Sequence, residues 1–138
     1  MIVTISRDNY NKILQQGKNE FPIECCGLLG GIKSDEAIMI KEVYPLYNTD
    51  QSSEHFSMDP KEQFKVIKEM RKNNLELVGN YHSHPYTPSR PSEEDKKLAY
   101  DPKVIYGILS LADENPVFNF FQIVEQSEVE KLDLKIIE

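Results

Sequence analysis

The segment Asn80–Asp95 reads NYHSHPYTPSRPSEED, and it holds two of the three histidines in the chain. In a β-strand, side chains two positions apart project from the same face, so His82 and His84 can approach one metal ion. Pro85 cannot donate a hydrogen bond to a sheet, and we therefore expect the strand to end directly after His84. Ligands at the end of a strand open onto a surface cleft that a substrate can reach.

A third ligand is available from the helix start that follows. Ser92 and Asp95 stand three positions apart at this start and therefore on one face, so Asp95 reaches the histidines if the loop Pro85–Pro91 folds back. Two imidazoles and one carboxylate leave one position of a tetrahedral zinc ion open, which is typical of catalytic zinc and brings the pKa of its water towards ~7. The Ser-x-x-Asp spacing is also a helix-capping arrangement, and taken by itself it favours capping over metal binding.

Hydrophobic patterns and breaking residues predict strands and helices on both sides of this segment. The predicted strands are Ile2–Ile5, Cys26–Ile32, Ala37–Tyr44, Leu75–His84, Val104–Leu111, Pro116–Val124 and Val129–Ile137, and the helices begin at the caps Ser6, Asp59 and Ser92. The second and third strands are expected to form a hairpin. On the helix that Asp59 caps, we expect Phe64, Ile67 and Met70 to face the core. The alternation of strands and helices predicts an α/β fold in which helices pack on a mixed sheet.

Length and composition predict one domain over residues 1–138. The chain is 39% hydrophobic and 28% charged, as in ordinary globular proteins. No apolar run approaches the ~20 residues that span a bilayer, so no membrane association is expected. The first residues lack the basic and apolar regions of a signal peptide, and a cytoplasmic location is expected.

Charge and cysteine content exclude two further classes. The net charge of −7 is spread along the chain and would repel a phosphate backbone, so we expect no nucleic-acid partner. The only cysteines, Cys25 and Cys26, are adjacent and cannot form a disulfide framework, which fits a reducing compartment. They lack the second pair of thiolates that a structural zinc site needs, and we interpret them as small semi-buried residues leading into a strand.

These residues resemble the signature of the JAMM (MPN+, Mov34/MPN/PAD-1) metalloproteases, in which a distant Glu precedes His-x-His-Pro and Ser-x-x-Asp. The matching positions are Glu24, His82-Ser83-His84-Pro85 and, after the segment Pro85–Pro91, Ser92-Glu93-Glu94-Asp95. The block around Glu24, PIECCGLLG, is similar to the Glu-bearing segment of the family. Phe56-x-x-Asp59-Pro60 and Tyr106–Ser110 resemble its flanking blocks, so the similarity covers nearly the whole chain.

The resemblance implies a β-sheet flanked by helices, akin to cytidine deaminases, and one zinc ion per chain. It implies that His82, His84 and Asp95 are the zinc ligands. It also implies that Glu24 is the general acid and base, and that Ser92 steadies the oxyanion. From the residues alone, Glu24 is one of 23 acidic residues, and Glu54 and Glu93 are alternative candidates for the base.

The same resemblance implies a zinc metallopeptidase or isopeptidase that cleaves after the Gly-Gly tail of a ubiquitin-like or sulfur-carrier protein. An extended tail is expected to add to an exposed strand edge beside the site. A zinc hydrolase of a small-molecule amide is an alternative, although the His-x-Glu and Pro-Cys-x-x-Cys signature of deaminases is absent. A non-catalytic MPN interaction module is a third hypothesis. His55 does not fit the signature, and we expect it to be a partly exposed strand histidine.

Overall fold

A computed structural model describes residues 1–138 and contains seven strands and three helices. The strands are β1 (Ile2–Ser6), β2 (Cys26–Lys33), β3 (Ala37–Leu46), β4 (Glu76–His84), β5 (Ile105–Ser110), β6 (Val117–Val124) and β7 (Glu128–Ile137). The helices are α1 (Arg7–Glu20), α2 (Pro60–Lys72) and α3 (Glu93–Lys97). All the predicted elements are confirmed, with small differences at their ends. No helix combines the length and the apolar character needed to cross a membrane.

The strands form one mixed sheet in the order β1-β3-β2-β4-β5-β6-β7, and this sheet closes into a barrel. Closure comes from the parallel pairing of β1 with β7, in which Ile2 lies opposite Asp133. β4 and β5 are also parallel, whereas β2 is antiparallel to both β3 and β4. The mixed sheet and the hairpin of β2 and β3 confirm the predicted fold class. The likeness to cytidine deaminases stays a prediction.

The two faces of the central strands contact different helices. Alternation along β4 sends Tyr81 to the face that packs against Ile13 of α1, within the larger of the two hydrophobic clusters. The Tyr81 ring lies so close to Gly27 of β2 that a side chain at position 27 would overlap it. His82 and His84 project from the opposite face, where Leu28 of β2 packs with Met70 of α2. The candidate ligands therefore share a face with α2.

Helix α2 begins as predicted but presents a different face to the core. Asp59 accepts a hydrogen bond from the Lys61 N–H at 3.1 Å, which caps the helix. Met70 is fully buried, whereas Phe64 is 63% exposed, so the prediction that Phe64 faces the core is wrong. At 3.6 residues per turn Phe64 lies about 120° around the helix from Met70, outside the buried stripe. Its ring instead lies 5.6 Å from the Lys68 ammonium.

Candidate metal centre

Three side-chain atoms converge at the end of β4. The His82 Nε2 lies 3.1 Å from the His84 Nε2. The Asp95 Oδ2 lies 3.2 Å from the His82 Nε2 and 3.1 Å from the His84 Nε2. The loop Pro85–Pro91 folds back as the sequence predicts, and it brings a carboxylate from α3 against both imidazoles. These three residues form a group that can hold a metal ion.

The local structure explains why both imidazoles reach the same point. His82 and His84 alternate with Ser83, so they project from one face of β4, and both are nearly fully buried. Beyond β4, the chain turns back towards β5, where the Ser110 Oγ donates to the Thr87 carbonyl at 2.7 Å. The Ser89 Oγ donates to the carbonyl of a second β5 residue, Ile108, at 2.7 Å. These two bonds fix the path of the loop that delivers α3.

Asp95 is positioned by the start of α3. The Ser92 Oγ accepts the Asp95 N–H at 3.0 Å, and the Asp95 Oδ2 accepts the Ser92 N–H at 2.9 Å, which together form a capping box. The same Oδ2 faces the two histidine nitrogens. Capping and the approach to the histidines are therefore properties of one carboxylate oxygen, and the two interpretations of the Ser-x-x-Asp spacing do not exclude each other.

Each imidazole has a distinct second contact. The His84 Nδ1 lies 2.9 Å from the Pro88 carbonyl, to which it donates, and this fixes the tautomer whose Nε2 is free to bind a metal. The His82 Nδ1 is buried and has no hydrogen-bond partner. Instead, the ring of Phe56 stacks on His82 with centroids 4.6 Å apart, and this packing adds to the contact of the His82 Nε2 with Asp95 in orienting the ring.

The donor set and its dimensions fit zinc. Tetrahedral zinc with ligands at 2.0–2.2 Å separates neighbouring donor atoms by about 3.3 Å. The three separations of 3.1–3.2 Å are close to that value. Two imidazole nitrogens and one carboxylate oxygen are also a donor set that catalytic zinc uses with a fourth position open.

The electrostatics of the group favour a charged carboxylate beside the imidazoles. Burial would raise the pKa of Asp95, but hydrogen bonds from His82 and His84 and from the Ser92 N–H hold it well below its usual range. Burial would lower the pKa of His84, but the Asp95 carboxylate and the Pro88 carbonyl outweigh burial and raise it. The Asp95 carboxylate therefore stays negatively charged at the point where a cation would bind.

Glu24 lies beside this group through the pairing of β2 with β4. In that ladder Cys26 lies opposite His82, and the Ser83 N–H donates to the Cys25 carbonyl at 3.0 Å. The Cys25 N–H donates to the Ser83 Oγ at 2.8 Å. Continuing this register by one residue sets Glu24 opposite His84, and opposed residues of antiparallel strands share a face. Glu24, which is 58 positions before His82 in the chain, is thus brought to the site by strand register.

The environment of Glu24 favours its protonated form in the chain without metal. Glu24 is only 4% exposed, and its carboxyl group makes no hydrogen bond to the protein. The pKa of Glu24 is raised to about 8, mainly by burial, with His84 opposing the rise and the carboxylates of Asp95, Glu94 and Glu54 adding to it. A carboxyl group with a pKa near neutrality is suited to accept and release a proton at physiological pH.

The remaining sequence candidates lie outside the group. Glu54 and Glu93 are exposed, and Glu93 pairs with Lys96 at 3.3 Å. His55 is half-exposed in the loop between β3 and α2, where its Nδ1 lies 2.5 Å from the Glu94 carboxylate. The prediction that His55 belongs to a strand is therefore wrong. Cys25 and Cys26 are free, and both are fully buried rather than semi-buried.

A pocket of about 290 Å³ opens beside His82 and Asp95. Its floor is formed by β4, β5 and β6, with Asn80 opposite Tyr106 and His82 opposite Ile108 in the register of β4 and β5. The other residues of the pocket come from β6, from α2 and its preceding loop, and from the end of α3: Ile123, Phe56, Ser57, Met58, Gln63 and Leu98.

The sequence analysis singled out His82 and Asp95, but it did not predict the pocket beside them or the role of Asn48, a fully buried polar residue in the loop before α2. Neither has a local signal, because the pocket draws on several elements and Asn48 lies in a stretch whose polar composition is typical of an exposed loop.

Comparison with known proteins gives a consistent set of similarities. The family model described as prokaryotic homologs of the JAB domain matches residues 6–124. The CysO-cysteine peptidase of Mycobacterium tuberculosis is 30% identical over 112 residues, which cover 81% of this chain and 75% of that protein. A desampylase of Pyrococcus furiosus is 37% identical over 73 residues, which cover 53% of this chain and 49% of the relative.

Among solved structures, the solution structure of a protein from Desulfitobacterium hafniense is 45% identical to this chain and superposes with a TM-score of 0.90. The match covers 100% of this chain and 94% of that protein. The similarity therefore extends over the barrel and the elements that carry the histidines and Asp95.

Proposed function

This chain belongs to the family of prokaryotic homologs of the JAB domain, and from that premise we propose that it is a zinc-dependent metallopeptidase. Its proposed substrate is a ubiquitin-like or sulfur-carrier protein, cleaved at the peptide or isopeptide bond that follows a Gly-Gly tail. Residues 1–138 would act as one catalytic domain, which the single closed sheet supports. The names of the relatives, a peptidase and a desampylase, support the reaction class.

One observation carries this proposal. The donor atoms of His82, His84 and Asp95 lie 3.1–3.2 Å from one another at the end of a strand, beside the buried carboxyl group of Glu24. A structural zinc site has four protein ligands, whereas this group offers three and keeps one position for chemistry. A non-ligand carboxyl group next to that position is what hydrolysis requires as a proton acceptor.

When bound, zinc would polarise the scissile carbonyl, bring the pKa of the attacking water towards ~7 and favour the carboxylate form of Glu24. Glu24 then accepts a proton from the water and later gives it to the leaving amine. Its burial and its freedom from protein hydrogen bonds leave both oxygens available for this transfer.

Ser92 has a complementary role towards the oxyanion. Its Oγ accepts the Asp95 N–H at 3.0 Å, and its hydroxyl proton has no acceptor within the protein. That proton can therefore be donated to the negative charge that develops on the carbonyl oxygen. The capping bond fixes the position of the hydroxyl oxygen, and the oxygen needs no reorganisation during the reaction.

The pocket supports an extended substrate tail, but with a placement different from the one expected. Each strand of the closed barrel has a neighbour on both sides, which argues against a tail that extends the sheet at a free edge. The pocket beside His82 is instead lined by residues of β4, β5 and β6 and offers the tail a different place to bind. A Gly-Gly segment suits the part of the pocket beside His82 and Asp95, because it carries no side chains to collide with the walls.

The experiment that tests this function uses a ubiquitin-like protein extended beyond its Gly-Gly terminus by several residues. Mass spectrometry should show cleavage directly after Gly-Gly, and a zinc chelator should abolish it. The matched control is the same extended protein with Ala-Ala in place of Gly-Gly, and it should be cut much more slowly. Turnover of small amides without cleavage of any Gly-Gly protein would replace this proposal by a small-molecule hydrolase.

A further inference from the structure

Asn48 lies in the loop between β3 and α2, and yet none of its surface is exposed. Its Nδ2 donates to the carbonyl oxygens of Glu24 at 3.0 Å and His55 at 2.9 Å. Its Oδ1 accepts the N–H groups of Asp50 at 3.0 Å and Ser57 at 3.1 Å. A side-chain amide has two donors and two acceptor positions, so this one uses its full capacity. Such an amide holds a single orientation, because any rotation leaves buried polar groups unpaired.

The backbone of Glu24 depends on this loop rather than on a strand. The Glu24 N–H donates to the Ser52 carbonyl at 2.9 Å, and the Glu24 carbonyl accepts from Asn48. Only the next residue, Cys25, is tied to β4, through its bonds with Ser83. Strand pairing therefore brings Glu24 to the site, and the loop sets its final position.

The same amide also reaches the side of the site that holds His82. His55 and Ser57, whose backbone groups bind Asn48, are the two neighbours of Phe56. The Phe56 ring stacks on the imidazole of His82 at 4.6 Å between centroids. Asn48 thus connects the backbone of Glu24 to the segment that carries Phe56. It contacts neither the carboxyl group of Glu24 nor the imidazole of His82.

We propose that Asn48 is a positioning residue that holds Glu24 at the distance from the reacting atoms that proton transfer requires. This inference rests on the proposed function for the role of Glu24. A misplacement of about 1 Å can lower a rate by about 10²-fold. The candidate ligands keep supports of their own, because β4 and α3 carry them and the Asp95 Oδ2 lies within 3.2 Å of the Nε2 atoms of both histidines. Loss of the Asn48 bonds therefore lowers kcat and leaves the metal content unchanged.

Two variants separate this role from general stability. Asn48→Ala removes all four bonds. Asn48→Asp keeps the size and both accepted bonds, but turns an oxygen towards the carbonyls of Glu24 and His55. Asn9→Ala is the matched control, because Asn9 is also buried and donates to a backbone carbonyl, that of Lys41, at 3.1 Å in a contact that joins α1 to β3.

The first measurement is amide hydrogen exchange by NMR, which does not depend on catalysis. Exchange at the Glu24 N–H should accelerate at least tenfold in Asn48→Asp and Asn48→Ala, relative to Asn9→Ala at matched stability. An unchanged Glu24 exchange rate in folded Asn48→Asp would overturn the proposal.

The second measurement is steady-state kinetics with zinc content determined on the same samples. In Asn48→Asp we expect kcat to fall about 10- to 100-fold, with KM within about twofold and zinc per chain as in the wild type. A wild-type kcat, or an equal fall in Asn9→Ala, would overturn the proposal. If the wild-type chain cuts no Gly-Gly protein, the proposed function fails, and hydrogen exchange alone still decides the role of Asn48.

Discussion

Ser92 and Asp95 are joined by two reciprocal hydrogen bonds: the Asp95 N–H donates to the Ser92 Oγ at 3.0 Å, and the Ser92 N–H donates to the Asp95 Oδ2 at 2.9 Å. The Oδ2 that completes this pair also lies 3.1 Å from the His84 Nε2. Since one oxygen contacts both the Ser92 N–H and the histidines, the geometry of the helix start and that of the candidate metal centre are coupled. A change at Ser92 is therefore expected to affect both stability and chemistry.

Replacing Ser92 by Ala should lower the melting temperature and also slow turnover. The lost cap removes about 0.5–2 kcal/mol of stability, and the lost hydroxyl removes a donor to the oxyanion. Asp59→Ala, which removes the cap of α2 at 3.1 Å, is the matched control. We expect Asp59→Ala to lose stability with little change in kcat. A Ser92→Ala enzyme that behaves in the same way would exclude a chemical role for the hydroxyl.

Replacing His82 or Asp95 by Ala should remove most of the bound zinc, because two remaining ligands hold the ion poorly. Elemental analysis of the purified proteins measures the metal directly. Zinc at 100 times its Kd should stabilise the wild-type chain by about 2.7 kcal/mol, and these variants should lose that shift in melting temperature. His55→Ala, at the third and half-exposed histidine, should keep the wild-type zinc content. Full zinc content in both ligand variants would contradict the assignment.

Replacing Glu24 by Gln should leave zinc bound and lower turnover by about 10²–10⁴, the usual effect of losing a general base. Glutamine has nearly the same size, so the packing around position 24 is preserved. Glu54→Gln and Glu93→Gln alter exposed carboxylates and should retain activity. The assignment of the base moves to another residue if Glu24→Gln turns over at the wild-type rate.

The pKa of Glu24, raised by burial from 4.5 to about 8, predicts how the stability of the chelated chain depends on pH. The folded state holds this proton more tightly than the unfolded state. The resulting stabilisation is therefore fully present below pH 4.5 and is lost as the pH rises towards about 8. The raised pKa of His84 acts in the same direction.

Melting temperatures of the chelated protein across this range test the prediction. Glu24→Gln should show a shallower fall with increasing pH than the wild type, and Glu93→Gln, which alters an exposed carboxylate, should follow the wild type. Equal slopes for the wild type and Glu24→Gln would show that Glu24 does not hold its proton more tightly in the folded state.

Local sequence patterns predict most of the secondary structure but less of the packing. The caps at Ser6, Asp59 and Ser92 accept the expected helix N–H groups, because capping needs only a side-chain oxygen a few residues from its donor. The orientation of α2 about its own axis is harder to predict from the sequence. Phe64 is as hydrophobic as its neighbours, but the buried stripe passes through Met70. The stripe depends on where the sheet lies, which the helix sequence alone does not specify.

The candidate ligands can be predicted from local sequence, because the alternation of a strand sets His82 and His84 on one face and a fixed spacing leads to Asp95. Resemblance added Glu24, which no local pattern distinguishes from the other acidic residues. Three features become visible in the folded chain alone: Glu24 lies beside His84, Asn48 binds the Glu24 backbone, and the first and last strands close the sheet. Each of these depends on pairing or hydrogen bonding between segments distant along the chain, whose energy is realised only when the whole barrel has formed.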